Sequence, residues 1–292
     1  MIPEKLKGIS AGLLASSIWG GMFVVSKVLL DVIPPFALLT GRLVLGILVL
    51  GAVLALRRGL SMTRQQMWQV LGVGVIGYGV SIGLQNIGTK LSTAANGSLV
   101  TMAAPLFVFL FGWWLLGEAI SPRRLAALLV ATVGVIAVIQ PGGAQLAEDH
   151  FWGNISLLAA AVTWALYSVL IRKVTRELDT LPVSFVALCG GLLVTVPAGA
   201  WELSRQDIGE ITGWMVAGML YLGIISMAIA SFLWNKSFEL LEAGTASLTL
   251  FAQPLVGAFL GTLYLGEQVS PLFVVGGGLI ALGLGLAAGE KT

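Results

Sequence analysis

Residues 94–122 and 243–271 are two versions of one sequence, and this duplication restricts the possible folds more than any other feature of the chain. Ala94, Ser98, Leu99, Ala103, Pro105, Leu106, Gly112 and Leu116 recur, without a gap, as Ala243, Ser247, Leu248, Ala252, Pro254, Leu255, Gly261 and Leu265. Gly117, Glu118, Ser121 and Pro122 recur as Gly266, Glu267, Ser270 and Pro271. Each copy reads as an apolar helix long enough to cross a bilayer, with a proline in its middle and a short turn at its end. Proline cannot donate the i−4 hydrogen bond, so a kink or hinge is expected at Pro105 and at Pro254. Two interrupted helices in matching positions point to the binding site of a transporter.

The duplication extends along the whole chain. Ala15 and Trp19 in the first apolar stretch match Ala160 and Trp164 in the sixth, and Asn86 in the third matches Asn235 in the eighth. A bilayer core takes roughly 20 apolar residues per helix. Ten stretches meet that length: 8–30, 35–56, 67–88, 94–116, 122–140, 151–173, 181–203, 209–234, 244–265 and 270–288. Of the 292 residues 57% are hydrophobic and 10% charged, where a soluble domain carries about 25% charge. The first run follows Lys5 and Lys7 but continues to about Leu30, too long for a signal peptide. The expected fold is therefore an all-α integral membrane protein of ten transmembrane helices. Five is odd, so the repeats 1–145 and 146–292 must cross the membrane in opposite senses, as an inverted repeat around a central cavity. Twelve Lys and Arg fall at one set of helix ends (Lys5, Lys7, Arg57, Arg58, Arg64, Arg123, Arg124, Arg172, Lys173, Arg176, Lys236, Lys291) against Lys90 and Arg205 at the other. The positive-inside rule then puts both termini in the cytoplasm.

Ten spans in two halves, a mid-helix Trp in helices 1 and 6, and Pro followed by Gly-Glu and Ser-Pro at helices 4–5 and 9–10 resemble the drug/metabolite transporter superfamily, in its EamA-type branch. The resemblance covers essentially the full length. It implies a basket in which helices 1, 3, 4, 6, 8 and 9 line the cavity while helices 5 and 10 lie to one side. It implies a bacterial inner-membrane exporter of amino acids, metabolites or drugs, with the nearest likeness to aromatic amino acid exporters.

Candidate substrate contacts follow from residues unusual at mid-depth. Trp prefers the membrane interface, so central Trp19 and Trp164 need a buried partner or an aqueous cavity. Tyr167 lies one turn beyond Trp164 on the same face. Tyr78, Ile82 and Gln85 share a face of helix 3 at α-helical spacing, and Ser231 and Trp234 lie in helix 8. Helices 4 and 9 offer Ser98, Thr101 and Met102 before Pro105, and Ser247 and Phe251 before Pro254. The prolines leave the carbonyls of Thr101 and Leu250 without their usual donor. Asn86 and Asn235 read equally well as interhelical hydrogen bonds. Lys27 and Arg42 are the charges well inside the spans. Lys27 can snorkel, while Arg42 lies two turns in and faces protein, and either can meet a substrate carboxylate. Glu118 and Glu267 are expected to cap the next helix or pair with nearby Lys or Arg. The glycines of helix 10 read as packing residues, as does the lone cysteine, Cys189.

There is no P-loop, no mid-span Asp or Glu and no cluster of metal-binding or nucleophilic residues within the spans. An enzyme, a cofactor, a metal and a nucleic-acid partner are therefore not expected. The expected activity is alternating-access export of a small amphipathic solute, an aromatic or apolar amino acid, without obligatory proton coupling. The partners are that small molecule and the lipid bilayer, with the chain a monomer or weak homodimer. The competing readings are export of cationic aromatic drugs and, in a different class, a non-saturating channel.

Overall fold

The computed structural model describes residues 3–57, 59, 61–92, 97, 100–139, 151–256 and 271–288, of which 135, 138, 139, 271–274 and 288 are described by backbone alone. Ser98, Asn96, His150, Glu267 and the loop 141–150 lie outside the described residues. Among the described residues there is no strand. Among the described residues six helices are long and apolar enough to cross a membrane: α1 (Glu4–Leu30), α2 (Pro35–Leu56), α3 (Arg64–Leu91), α6 (Phe151–Thr175), α7 (Thr180–Leu203) and α8 (Gly213–Leu240). Shorter helices are α4 (Ala104–Leu116), α5 (Pro122–Ile139), α9 (Ala243–Leu248) and α10 (Pro271–Ala288).

Local chemistry sets the ends of these helices. Pro35 starts α2 at a position where its missing N–H is not needed. Thr63 and Gln66 form a reciprocal capping box, so α3 begins at Arg64, before the expected position 67. Helix α8 runs past 234 to Leu240, because protein groups satisfy the polar residues of its last turns. Asn235 Nδ2 donates to Ser184 Oγ at 3.0 Å, and Lys236 pairs with Glu239 at 2.6 Å.

The prolines of the duplicated segment act differently from the mid-helix kinks expected of them. In the first half the chain turns at Met102 and Ala103, and Pro105 falls in the first turn of the new helix α4. The turn is held by Ala103 N to Val100 O at 3.0 Å and Leu106 N to Ala103 O at 3.1 Å. In the second half Thr249–Phe251 tightens to a 3-10 turn, and the Ala252 N–H reaches the carbonyls of Thr249 and Leu250. In both halves a tightened turn precedes the proline, and in the second it gives the Leu250 carbonyl a donor, the Ala252 N–H.

Helix α5 packs along α10, and α2 along α7, while α1 lies on α8 and α3 on α6. Lipid gives apolar helices no hydrophobic reason to associate, so close approach through small residues matters. A Cβ at Gly74 of α3 would lie 2.0 Å from the Ala187 carbonyl oxygen of α7, and one at Gly190 of α7 would lie 2.2 Å from that of Leu71. Part of α10 packs closely on α5: Gly283 fits against Ala127 and Ala131 of α5, and Gly134 of α5 against the Gly276 carbonyl, while nothing lies within 4 Å of a Cβ at Gly278 or Gly285.

The helices share two ends. One gathers Glu4, Lys5, Arg124, Arg172, Leu240 and Glu242 around a cleft, and is called the basic end below. The other gathers residues 31–34, Lys90 and residues of the α7–α8 connection. Of the nine tryptophans, Trp68, Trp113 and Trp114 are exposed near the basic end, and Trp152, Trp201 and Trp214 near the far end. These are two girdles of the kind that sits at membrane interfaces. Trp19, Trp164 and Trp234 are buried between them.

Candidate functional site

Halfway between the two ends, the helices surround a narrow cavity of about 40 Å³, smaller than the 300–1,000 Å³ of a formed small-molecule site, so a substrate would need the walls to move apart. Six of the residues expected from the sequence line it: Trp19, Ile82, Gln85, Thr101, Trp164 and Ser231. Met22, Arg42, Ser81, Ala160, Ser226, Met227, Leu250 and Gln253 complete the wall. Trp19 and Trp164 meet edge to face, with ring centroids 5.5 Å apart and planes at 80°. The Trp19 indole donates to the Ser226 carbonyl at 3.1 Å, so it has a buried partner across the cavity wall.

Two stretches of π-helix shape this wall, Val75–Ser81 in α3 and Tyr221–Ala230 in α8. The wider turn changes which residues share a face. Tyr78, expected on one stripe with Ile82 and Gln85, turns away from the cavity, and Ser81 lines it instead. Ser81 Oγ also donates to the Ala160 carbonyl of α6 at 2.8 Å. Gly77 makes room for α6, since a Cβ there would lie 2.2 Å from the Tyr167 ring.

Tyr78, Tyr167 and Trp234 form a layer between the cavity and the basic end. Tyr167 bridges Tyr78 and Asn235, its hydroxyl 2.8 Å from each. The Trp234 indole donates to Ser168 Oγ at 3.1 Å, and its ring lies 4.8 Å from Phe238. Trp164 sits 4.9 Å from the Tyr167 ring and so joins this layer to the cavity wall. Met102, Ser247 and Phe251 are buried near the prolines but are not part of the cavity wall. Ser247 donates to Gly244 O at 2.8 Å, and the Thr101 hydroxyl donates to Gly97 O. Asn86 Nδ2 donates to Pro35 O at 3.1 Å, tying α3 to α2 as Asn235 ties α8 to α7.

The charged groups have distinct tasks. Lys27 Nζ donates to the carbonyls of Thr89, Lys90 and Ser92 at 2.9–3.0 Å, capping the C-terminus of α3. Glu202 of α7 accepts from Phe36 N at 2.7 Å and Ala37 N at 3.1 Å, capping the N-terminus of α2. Glu118 accepts from Ala243 N at 2.8 Å and pairs with Arg172 at 2.6 Å, so it caps α9 rather than α5, the helix after its own. Arg124 pairs with Glu242 beside it. These contacts join α4–α5 to α6 and α8–α9 at the basic end. Arg42 lies at the cavity. The sequence set it apart as an intramembrane charge able to meet a substrate carboxylate, but not its neighbours Met22 and Asn86, which come from other helices.

Residues 6–140 and again 151–289 match the EamA-like transporter family. An uncharacterized transporter of Archaeoglobus fulgidus is 25% identical over 94% of both chains. The S-adenosylmethionine/S-adenosylhomocysteine transporter of Chlamydia muridarum is 23% identical over 94% of this chain and 89% of its own. Neither description names an aromatic amino acid exporter. One crystal structure of a protein superposes with a TM-score of 0.80 at 22% identity, over 96% of each chain.

Proposed function

The chain belongs to the EamA-like transporter family, a multi-pass membrane transporter, and on that premise we propose that the mid-depth cavity carries a small amphipathic metabolite across the bacterial inner membrane by alternating access. The observation that carries this reading is the composition of the cavity wall. It draws on α1, α2 and α3 of one half and α6, α8 and the 249–253 segment of the other, and combines Trp19, Trp164, Met22 and Met227 with a few polar groups. An apolar pocket with sparse convergent polar groups suits a molecule with an aromatic or apolar body and a polar head. An aromatic or apolar amino acid has that form.

Ten spans in two inverted repeats are supported by the way the helices pair. Counting five helices on, the pair α1–α8 becomes α6–α3, while α2–α7 and α5–α10 map onto themselves. The twelve-to-two charge asymmetry puts the basic end in the cytoplasm. The Tyr78–Tyr167–Trp234 layer and the Glu118 ion pairs then close the cytoplasmic side of this conformation. Pro105 and Pro254 are the proposed hinges.

The test is counterflow in proteoliposomes holding the purified chain. Vesicles preloaded with an unlabelled amino acid should transiently concentrate the labelled one above equilibrium, saturably. Flux that rises linearly with concentration and ignores the internal load would support a channel instead. The panel includes S-adenosylhomocysteine, which joins an aromatic base to an amino acid head and so shares the proposed substrate's form.

A further inference from the structure

We propose that Arg42 anchors a carboxylate of the transported molecule, which makes the substrate an amphipathic acid or zwitterion; this rests on reading the cavity as the transport site. Arg42 is 1% exposed and lines that cavity. Among the described residues no carboxylate lies within 4.0 Å of it. Nη1 reaches the neutral Asn86 Oδ1 at 3.5 Å, Nη2 reaches the Met22 sulfur at 3.2 Å, and Nε meets no acceptor. A guanidinium is a planar fork of five donors suited to grip a carboxylate at two points. Here that fork has only weak neutral partners.

Comparison with the half-buried Lys27 and the buried Arg172 separates a structural role from a binding one. Lys27 directs its ammonium at three backbone carbonyls, and Arg172 is paired with Glu118. Both charges are used inside the fold. The charge of Arg42 is compensated neither by an acid nor by a helix terminus, yet it is held at mid-depth beside empty space. Intramembrane charges that face a cavity mark substrate pathways. No Asp or Glu lines the cavity among the described residues, and its other polar side chains are the neutral Gln85, Gln253, Ser81, Ser226, Ser231 and Thr101. The field in the cavity is therefore positive. A cationic aromatic molecule is disfavoured there, and an anionic head beside the Trp19 and Trp164 faces is favoured.

The experiment measures uptake into proteoliposomes of three labelled probes that share one aromatic body, corrected for protein-free vesicles. L-phenylalanine has both the amine and the carboxylate, phenylpyruvate has the carboxylate alone, and L-phenylalaninamide has the amine alone. Wild type should take up at least one of the two acids and prefer it to the amide by about tenfold or more, the scale expected when a buried charge loses its partner. R42Q should lose about tenfold or more of acid uptake, while its amide uptake should hold or rise, because the positive charge that disfavours a cation is gone. R42K, which keeps the charge without the fork, should raise the half-saturating acid concentration and leave the preference for acid in place. If R42Q fails to elute as a folded species, R42K and the wild-type preference decide. The proposal is overturned by equal uptake of amide and acids, by uptake of neither acid, or by unchanged acid uptake in folded R42Q. Uptake of phenylpyruvate without phenylalanine upholds the Arg42 anchor and removes the amino acid reading. Saturable counterflow of the amide alone removes the anchor and leaves the transporter reading standing.

Discussion

At the scale of single residues, identical side chains take different tasks from their surroundings. Trp19 and Trp164 meet edge to face at a cavity, while the exposed tryptophans sit near the helix ends. An aromatic contact adds about 0.5–1.5 kcal/mol beyond area burial. Trp164→Ala should therefore reduce transport of ring-bearing substrates by roughly threefold to tenfold more than that of small ones, measured as counterflow of phenylalanine against alanine. An equal loss for both would make Trp164 a packing residue. Tyr167→Phe keeps the ring but removes the hydroxyl that links Tyr78 to Asn235. Hydrogen bonds between membrane helices average about 0.6 kcal/mol, so this variant should lower the melting temperature slightly and leave substrate preference unchanged. Trp19 and Trp164 were legible in the sequence because tryptophan at mid-span in matching halves needs an explanation. The surroundings of Arg42 were not, because its neighbours come from α1 and α3 and no local pattern connects them.

At the scale of elements, the helices fit where glycine lets them touch. Gly74→Ala would push a methyl group to 2.0 Å from the Ala187 carbonyl of α7, whereas Gly72, half a turn away on the same helix, has nothing within 4 Å of its Cβ position. Gly74→Ala should destabilise by about 1–3 kcal/mol through overpacking. Gly72→Ala should be neutral, or stabilising by up to about 1 kcal/mol through helix propensity. Thermal unfolding of the two variants in one detergent checks the contrast, and similar melting temperatures would remove the α3–α7 notch from the account. The positions of α2, α6 and α7 could be read closely from hydrophobic length and flanking turns. The π-helical stretches could not, because one widened turn leaves an apolar run just as apolar. They are what turned Tyr78 out of the cavity wall and Ser81 in. The role of the prolines was only half legible: the sequence shows where a donor is missing but not that the chain turns before each proline, nor that the Ala252 N–H reaches the Leu250 carbonyl.

At the scale of the whole molecule, a buried aromatic layer and ion pairs lie between the cavity and the basic end. Glu118 and Glu202 stand at helix ends, where they cap α9 and α2, and the described cavity wall has no Asp or Glu. Among the described residues no carboxylate stands at the cavity to carry a proton. In vesicles without voltage, an imposed pH gradient should leave the final level of a net-neutral substrate at equal concentrations inside and out. Steady accumulation abolished by a protonophore would show a proton route that these residues do not provide. The central claim is that one cavity faces the two sides of the membrane in turn. Its most direct measurement uses Ser231→Cys in a Cys189→Ser background, with a membrane-impermeant thiol reagent applied to right-side-out and then to inverted vesicles. The account predicts labelling from both sides, slowed in both cases by a substrate that shows counterflow. Labelling from one side alone under every substrate condition, or labelling that no transported substrate slows, would contradict it.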